Sequence, residues 1–292
     1  MILTQPKKTA VLYHNDADGF ASALAAWLRY GEEAHYIPVR YGEPVPPLPN
    51  GTLEVFILDF SYNRKTCDHL ASKYLLQVID HHQTARDELA GAVYAIFDMS
   101  RAGCELAWAF FHPDKPLPDL LAYVADRDLW KWALPNSQEV NAWVAILPPT
   151  FERWAEVLRD GIGEREMTMG SASLANQERQ LHALARQARF TILFGKPAAV
   201  VNSALLHSEL GHLLATMHPQ LALVAVYNDL PDGSRKYSLR THRDNLDVSA
   251  LARQFGGGGH RRAAGFVLPA NLEQRLGGEL ATNLQAAKGV ES

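Results

Sequence analysis

Short apolar runs that stop on an aspartate or a histidine, separated by stretches with helical spacing, constrain this chain more than any other feature. TAVLYH ends at His14, EVFILD at Asp59 and LLQVID at Asp80. Apolar runs of about four to seven residues without polar alternation suit strands buried on both faces, and helical stretches such as FASALAAWLRY and KTCDHLASKY between them suggest βαβ units in a parallel sheet. The proline-rich PVPPLPNG at Pro44–Gly51 is a loop and no central strand. A helix entered through Pro118 ends near Asp126 to Trp132.

No strand pattern occurs between Phe151 and Phe190, where EREMTMGSASLANQERQLHALARQARF reads as one long helix. A second alternation follows: KPAAVVNS, SELGHLLATMHP, LALVAVYND, SRKYSLRTH, VSALARQF, GGGGH, AAGFVL and a C-terminal helix from Leu272. The expected class is therefore α/β. A parallel-sheet domain takes residues 1–160, a helical linker 161–190, and a smaller α/β domain 191–292.

In open α/β sheets ligands bind beyond the carboxyl ends of the strands. The polar residues there are His14 with Asp16 and Asp18, then Asp59, then Asp80 with His81 and His82; Asp126, with Asp128 two residues on, ends the helical YVAD run. One such aspartate is an ordinary turn residue, but several carboxylates converging on one rim repel each other unless a cation or a shared proton holds them. Carboxylates with imidazoles and no thiolate suit Mn²⁺ or a similar divalent ion better than structural zinc. So many donors exceed the needs of one ion. Two ions sharing a carboxylate, about 3.5–4 Å apart, can clamp the attacking and leaving oxygens of a phosphoryl transfer.

Two rival readings of DADG fail or fit poorly. An EF-hand loop counted from Asp16 needs glycine and glutamate where Ala21 and Trp27 stand. An aspartyl-phosphate phosphatase would use Asp16 as nucleophile, but Phe20 replaces the usual Thr or Val and His14 would have no role. Cys67 and Cys104 form no CxxC pair, so neither a zinc knuckle nor a disulfide framework is signalled.

The other unusual stretch is GGGGH at Gly256–His260, followed by RRAAGF. A glycine run can be a flexible linker. This one interrupts a helix-to-strand unit instead, where glycines let backbone N–H groups approach an anion with His260, Arg261 and Arg262 nearby.

HNDADG, LDFS, IDHH, YVADRD and GGGGHRRAAG, in this order and over nearly the whole chain, resemble the DHH phosphoesterase superfamily with its DHH-associated C-terminal domain. The resemblance implies a dinuclear Mn²⁺ centre, with Mg²⁺ or Co²⁺ as substitutes. His14 and Asp16 would bind one ion, Asp18, His81 and Asp126 the other, and Asp59 would bridge them. Asp128 is the alternative to Asp126. His82 would face the scissile phosphate, with Asp80 orienting its neighbours. Gly257, Gly258, Gly259, His260 and Arg240 would bind substrate; Ser100 and Arg101 match a substrate-side loop, and for Arg101 a surface ion pair is the other reading. The first motif is HxDxD, as in exonuclease and exopolyphosphatase-like branches, and not the HxxxDxD of nano-RNA phosphatases.

A net charge of −4 gives no broad basic surface for long-duplex nucleic acid. The expected substrate is accordingly short: a single-stranded oligonucleotide or linear dinucleotide, with polyphosphate or a cyclic dinucleotide as alternatives and a non-catalytic nucleotide sensor as a different class. No run reaches the roughly 18 apolar residues of a membrane span, and a cytoplasmic protein is expected. Related two-domain proteins often pair, which leaves a homodimer open.

Overall fold

The unbroken apolar run of Thr9–His14 becomes strand β1, buried on both faces inside a parallel sheet, in a computed structural model that describes residues 8–270. It is followed by α1 (Ala17–Tyr30), β2 (Ala34–Val39), β3 (Glu54–Leu58), α2 (Arg64–Ala71), β4 (Leu75–Asp80), α3 (Gln83–Glu88) and β5 (Ala95–Phe97). Helices α4 (Gly103–Phe111), α5 (Asp119–Asp128), α6 (Ser137–Val144), α7 (Phe151–Asp160) and α8 (Glu164–Ala185) come next. The chain divides into two compact units between Ala175 and Asn176.

In the first unit the strand order is β2-β1-β3-β4-β5, with every pair parallel. Successive side chains of a strand point to opposite faces. Val11, Tyr13, Phe56 and Leu58 accordingly enter one apolar cluster with α1 and α4, while Leu12, Val55 and Ile57 enter another with Cys67 and Leu70 of α2. The small residues of α1, Ala21, Ala23, Ala25 and Ala26, are fully buried, which lets the helix lie close against its neighbours. From β1 the chain turns first to β2 on one side and then to β3 on the other. That reversal opens a crevice at the carboxyl ends of β1 and β3, where such sheets take their ligands.

The second unit holds β6 (Arg189–Leu193), β7 (Lys196–Asn202), α9 (His207–Met217), β8 (Leu223–Asp229), β9 (Arg235–Arg240), α10 (Val248–Arg253), β10 (Gly258–His260) and β11 (Ala263–Leu268). Its sheet runs β10-β11-β9-β8-β7-β6, with β7 and β8 parallel across α9 and the other pairs antiparallel. Two apolar clusters cover its faces, one with Leu210 and Leu214 of α9 and one with Val248 and Ala252 of α10.

Both units have the α/β architecture read from the sequence. Two details differ. The segment RFTIL forms an edge strand whose Phe190 and Ile192 are exposed, a pattern unlike the buried runs used to find strands. Part of the glycine stretch, read as a loop, is itself a strand: β10 pairs Gly258 with Gly265 and His260 with Ala263. The C-terminal helix expected from Leu272 lies outside the described residues. Among the described residues no helix is long and apolar enough to cross a membrane.

Candidate metal centre

His14 is the last residue of β1, and the chain turns at once into α1, whose N-cap is Asp16. Asp16 Oδ1 accepts from the Gly19 N–H at 2.9 Å, and its Oδ2 lies 2.8 Å from His14 Nδ1. Asp18, in the first turn of α1, is buried and reaches across to the beginning of α4. There the N–H groups of Gly103 and Cys104 donate to its Oδ2 and Oδ1 at 2.7 and 2.9 Å. A helix N-terminus offers unpaired N–H groups, so α4 fixes this carboxylate in place.

Asp59 follows β3 with φ of +63°, a left-handed conformation that aspartate tolerates better than most residues. Its N–H donates to Ile79 O at 2.9 Å, and the turn sends the carboxylate into the crevice. One oxygen, Oδ2, lies 3.6 Å from His14 Nδ1; the other, Oδ1, lies 3.2 Å from His81 Nε2. Gly103 makes room for it, because a Cβ there would sit 2.6 Å from Asp59 Oδ1.

Strand β4 ends at Asp80, which is fully buried and serves its neighbours. Asp80 Oδ1 accepts from the backbone N–H groups of His81 and His82 at 2.7 and 3.1 Å and pairs with His82 Nδ1 at 2.7 Å; Oδ2 accepts from Ser61 Oγ at 2.7 Å. His82 is thereby held with Nε2 directed away from Asp80. His81 Nε2 stands 3.7 Å from Asp18 Oδ2 and 3.4 Å from Asp128 Oδ2.

Two triads that share no residue have ligand atoms within 4.8 Å of one another, His14, Asp16 and Asp59, and Asp18, His81 and Asp128, while Asp59 also groups with Asp80 and His82. Asp126 does not join them. Its carboxylate accepts from the N–H groups of Ala133 and Leu134 and from Ser137 Oγ at 3.0, 3.3 and 2.5 Å. Residues two apart on a helix lie about 200° apart around its axis, so Asp126 and Asp128 cannot face the same way. Asp128 is the one beside His81.

The protonation of the cluster reflects crowding. Burial, and then the charge of Asp59, push the Asp18 carboxyl up to about 8. Enclosure, and then the charge of Asp18, push Asp128 up to about 7. Burial opposes the charged form of His14, but Asp16 and Asp59 overcome it and raise the imidazole to about 11. In the same way burial opposes charge on His81, and Asp59, Asp128 and Asp18 raise it to about 10. Burial likewise opposes charge on Asp80, yet His82 holds that carboxyl well below the usual carboxylate range.

These residues fit divalent cations. His14 Nδ1 and Asp59 Oδ1 are buried without a well-directed hydrogen bond, although opposite groups lie close by. Carboxylate and imidazole atoms crowd within 2.8 to 3.6 Å of them, a gathering of donors that a bound cation would hold together. The donor set is carboxylate and imidazole; the one nearby thiol, Cys104, is turned to Leu121 O.

The other candidates from the sequence have partners within their own units. Arg101, just before the N-cap of α4, donates to Glu105 O of that helix at 2.8 Å, and Ser100 Oγ donates to Asp98 at 2.6 Å. In the second unit, Arg240 ends β9 and donates to Ser208 Oγ at 2.7 Å. A Cβ at Gly257 would sit 2.1 Å from Gly265 O, so strand packing alone already demands that glycine. Gly258, Gly259 and His260 form β10. The sequence reading missed Ser61, Gly103 and the Cys104 N–H. A glycine opening an apolar helix, AGCELAWAFF, was the available signal for the last two.

The two aspartates of α5 separate experimentally. Asp128→Ala is expected to weaken Mn²⁺ binding by more than the about 10- to 100-fold that loss of an outer partner costs. Asp126→Ala leaves Mn²⁺ affinity near that of the parent and destabilises the fold, because buried donors lose their acceptor at about 1–3 kcal/mol each. Calorimetric titration and thermal melts distinguish them; equal Mn²⁺ affinity in Asp128→Ala and the parent would count against the second triad.

Residues 203–286 match the DHHA1 domain family. The chain is similar to the uncharacterized protein R106 of Acanthamoeba polyphaga mimivirus, 32% identical over 293 residues, which cover 91% of this chain and 69% of that protein. It is also similar to the oligoribonuclease NrnB of Bacillus subtilis (strain 168), 25% identical over 289 residues, 86% of this chain and 71% of that protein. The structure of RecJ in complex with Mn²⁺ from Thermus thermophilus shares the fold, with a TM-score of 0.51 at 16% identity over 97% of this chain and 52% of that one.

Proposed function

The chain belongs to the DHH superfamily of metal-dependent phosphoesterases, with a DHHA1 domain in its C-terminal part, and on that premise we propose that it hydrolyses short single-stranded oligonucleotides or linear dinucleotides to mononucleotides at a dinuclear centre. The observation that carries the metal part is Asp59, whose two oxygens each face a different histidine-containing triad. His14 and Asp16 would hold one ion, Asp18, His81 and Asp128 the other, and Asp59 both. Mn²⁺ is the first choice of metal. When bound, the ions supply Lewis acidity and lower the pKa of water enough for it to attack phosphorus at neutral pH.

The remaining groups act on the substrate and on one another. Asp80 fixes the ring of His82 so that its Nε2 can donate to a phosphoryl oxygen, and Asp80 is itself held by Ser61. The Gly103 and Cys104 amides keep the Asp18 carboxylate aligned. A short substrate suits a chain of net charge −4, whose composition gives no sign of a broad basic surface. The name of the relative in Bacillus subtilis, an oligoribonuclease, points to the same substrate class.

The test is Mn²⁺-dependent hydrolysis by the purified protein of a 5′-phosphorylated RNA dinucleotide, a cyclic dinucleotide and a short polyphosphate, side by side. Mononucleotides released faster than the other products support the proposal. Preferential release of orthophosphate from polyphosphate, or preferential opening of the cyclic dinucleotide, overturns the substrate while leaving the centre standing.

A further inference from the structure

Six tryptophans occur in the chain, and the apolar clusters of the fold account for four of them. Trp27, Trp108, Trp143 and Trp154 pack in or against the main apolar cluster of the first unit. Trp130 and Trp132 lie outside the apolar clusters among the described residues, although Leu129 beside them packs against one. Both are half-buried, and their rings meet edge to face with centroids 5.2 Å apart at 77°.

Their backbone is unusual as well. Trp130 and Trp132 have φ of +54° and +50°, a strained region that bulky residues rarely occupy. Asp126 offsets this strain. Its carbonyl accepts from the N–H groups of Lys131 and Trp132 at 2.8 and 3.4 Å, while its carboxylate accepts from Ala133, Leu134 and Ser137. The turn so held begins directly after Asp128, whose Oδ2 lies 3.4 Å from His81. Two large aromatic rings are thus kept, at a cost to the backbone and outside the apolar clusters, two and four residues from the metal-facing carboxylate.

We infer that Trp130 and Trp132 form a stacking platform for a nucleobase of the substrate at the rim of the metal centre, and that Asp126 is the positioning residue of that platform. An indole face has nothing to stack on in a bare phosphate chain, whereas every base presents a π-face to it. The platform therefore selects nucleotides over inorganic polyphosphate. This inference rests on the phosphodiesterase reading above.

The experiment measures kcat and KM for a 5′-phosphorylated RNA dinucleotide and for two analogues, each lacking one base. The double variant Trp130→Ala, Trp132→Ala raises KM for the full dinucleotide about tenfold or more, with kcat far less affected. On one of the analogues, the variant and the parent converge, because the stacked base is already missing. Phenylalanine at both positions keeps a ring face and restores KM, which separates stacking from folding. Asp126→Ala raises KM in the same base-dependent way. An unchanged KM for the full dinucleotide, or an equal loss on all three substrates, overturns the inference while the hydrolase reading stands. A parent protein that cleaves no dinucleotide removes both.

Discussion

Asp59→Asn lowers metal-dependent hydrolysis about a thousandfold or more while leaving the fold intact. The reason lies in what the two side chains share and what they do not. Asparagine has the size of aspartate and accepts the left-handed backbone at this position, so the turn after β3 survives. It offers one neutral oxygen where aspartate offers two charged ones. The aspartate oxygens lie 3.6 Å from His14 Nδ1 and 3.2 Å from His81 Nε2, so only a carboxylate serves both triads at once. Gly103→Ala changes activity in the same direction from outside the cluster, since its Cβ would press on Asp59 Oδ1 from 2.6 Å. Steady-state turnover with thermal melts checks both. An Asp59→Asn enzyme with the turnover of the parent contradicts a shared carboxylate.

The second large effect is on metal affinity as a function of pH. Without metal the cluster keeps protons near neutrality: Asp18 and Asp128 are raised to about 8 and about 7, and His14 and His81 to about 11 and about 10. For the two carboxyls the raised folded value means a penalty absent below the ordinary value of 3.8 and complete above about 8, so the metal-free fold loses stability as pH rises across that window. For the two histidines the raised value contributes stability present below 6.5 and lost as pH climbs through about 10 to 11. Both trends weaken the metal-free protein toward alkaline pH. Metal binding must displace these protons, so Mn²⁺ affinity rises about tenfold per pH unit for each proton released. Titration calorimetry between pH 6 and 8 in buffers of different ionisation enthalpy counts them. An affinity indifferent to pH across that range contradicts the assignment of these groups as ligands.

Much of this centre is legible in the sequence because it is built from strand ends. TAVLYH and EVFIL are buried on both faces, their apolar runs mark their limits, and the first polar residue falls at the crevice by necessity. His14, Asp16, Asp18, Asp59, His81 and His82 are found in this way. The choice between Asp126 and Asp128 is not legible. Both lie on one helical end, and which face meets the sheet depends on the packing of α5 against α1 and α4, which no local pattern records. Gly103 is hidden for a similar reason: its lack of a side chain answers to Asp59, 44 positions earlier (103 − 59) and on another element. The edge strand Arg189–Leu193 escapes because exposed apolar residues remove the contrast that identifies strands. Trp130 and Trp132 read as the end of a helix until the structure shows them in a strained turn outside the apolar clusters.

One measurement bears most directly on the central claim: turnover of the 5′-phosphorylated RNA dinucleotide by metal-stripped protein, followed as Mn²⁺ is added in known equivalents per chain. The two triads joined by Asp59 predict no turnover without metal and full turnover at two equivalents. Hydrolysis in the presence of chelator, or saturation at a single equivalent, would contradict a dinuclear phosphodiesterase.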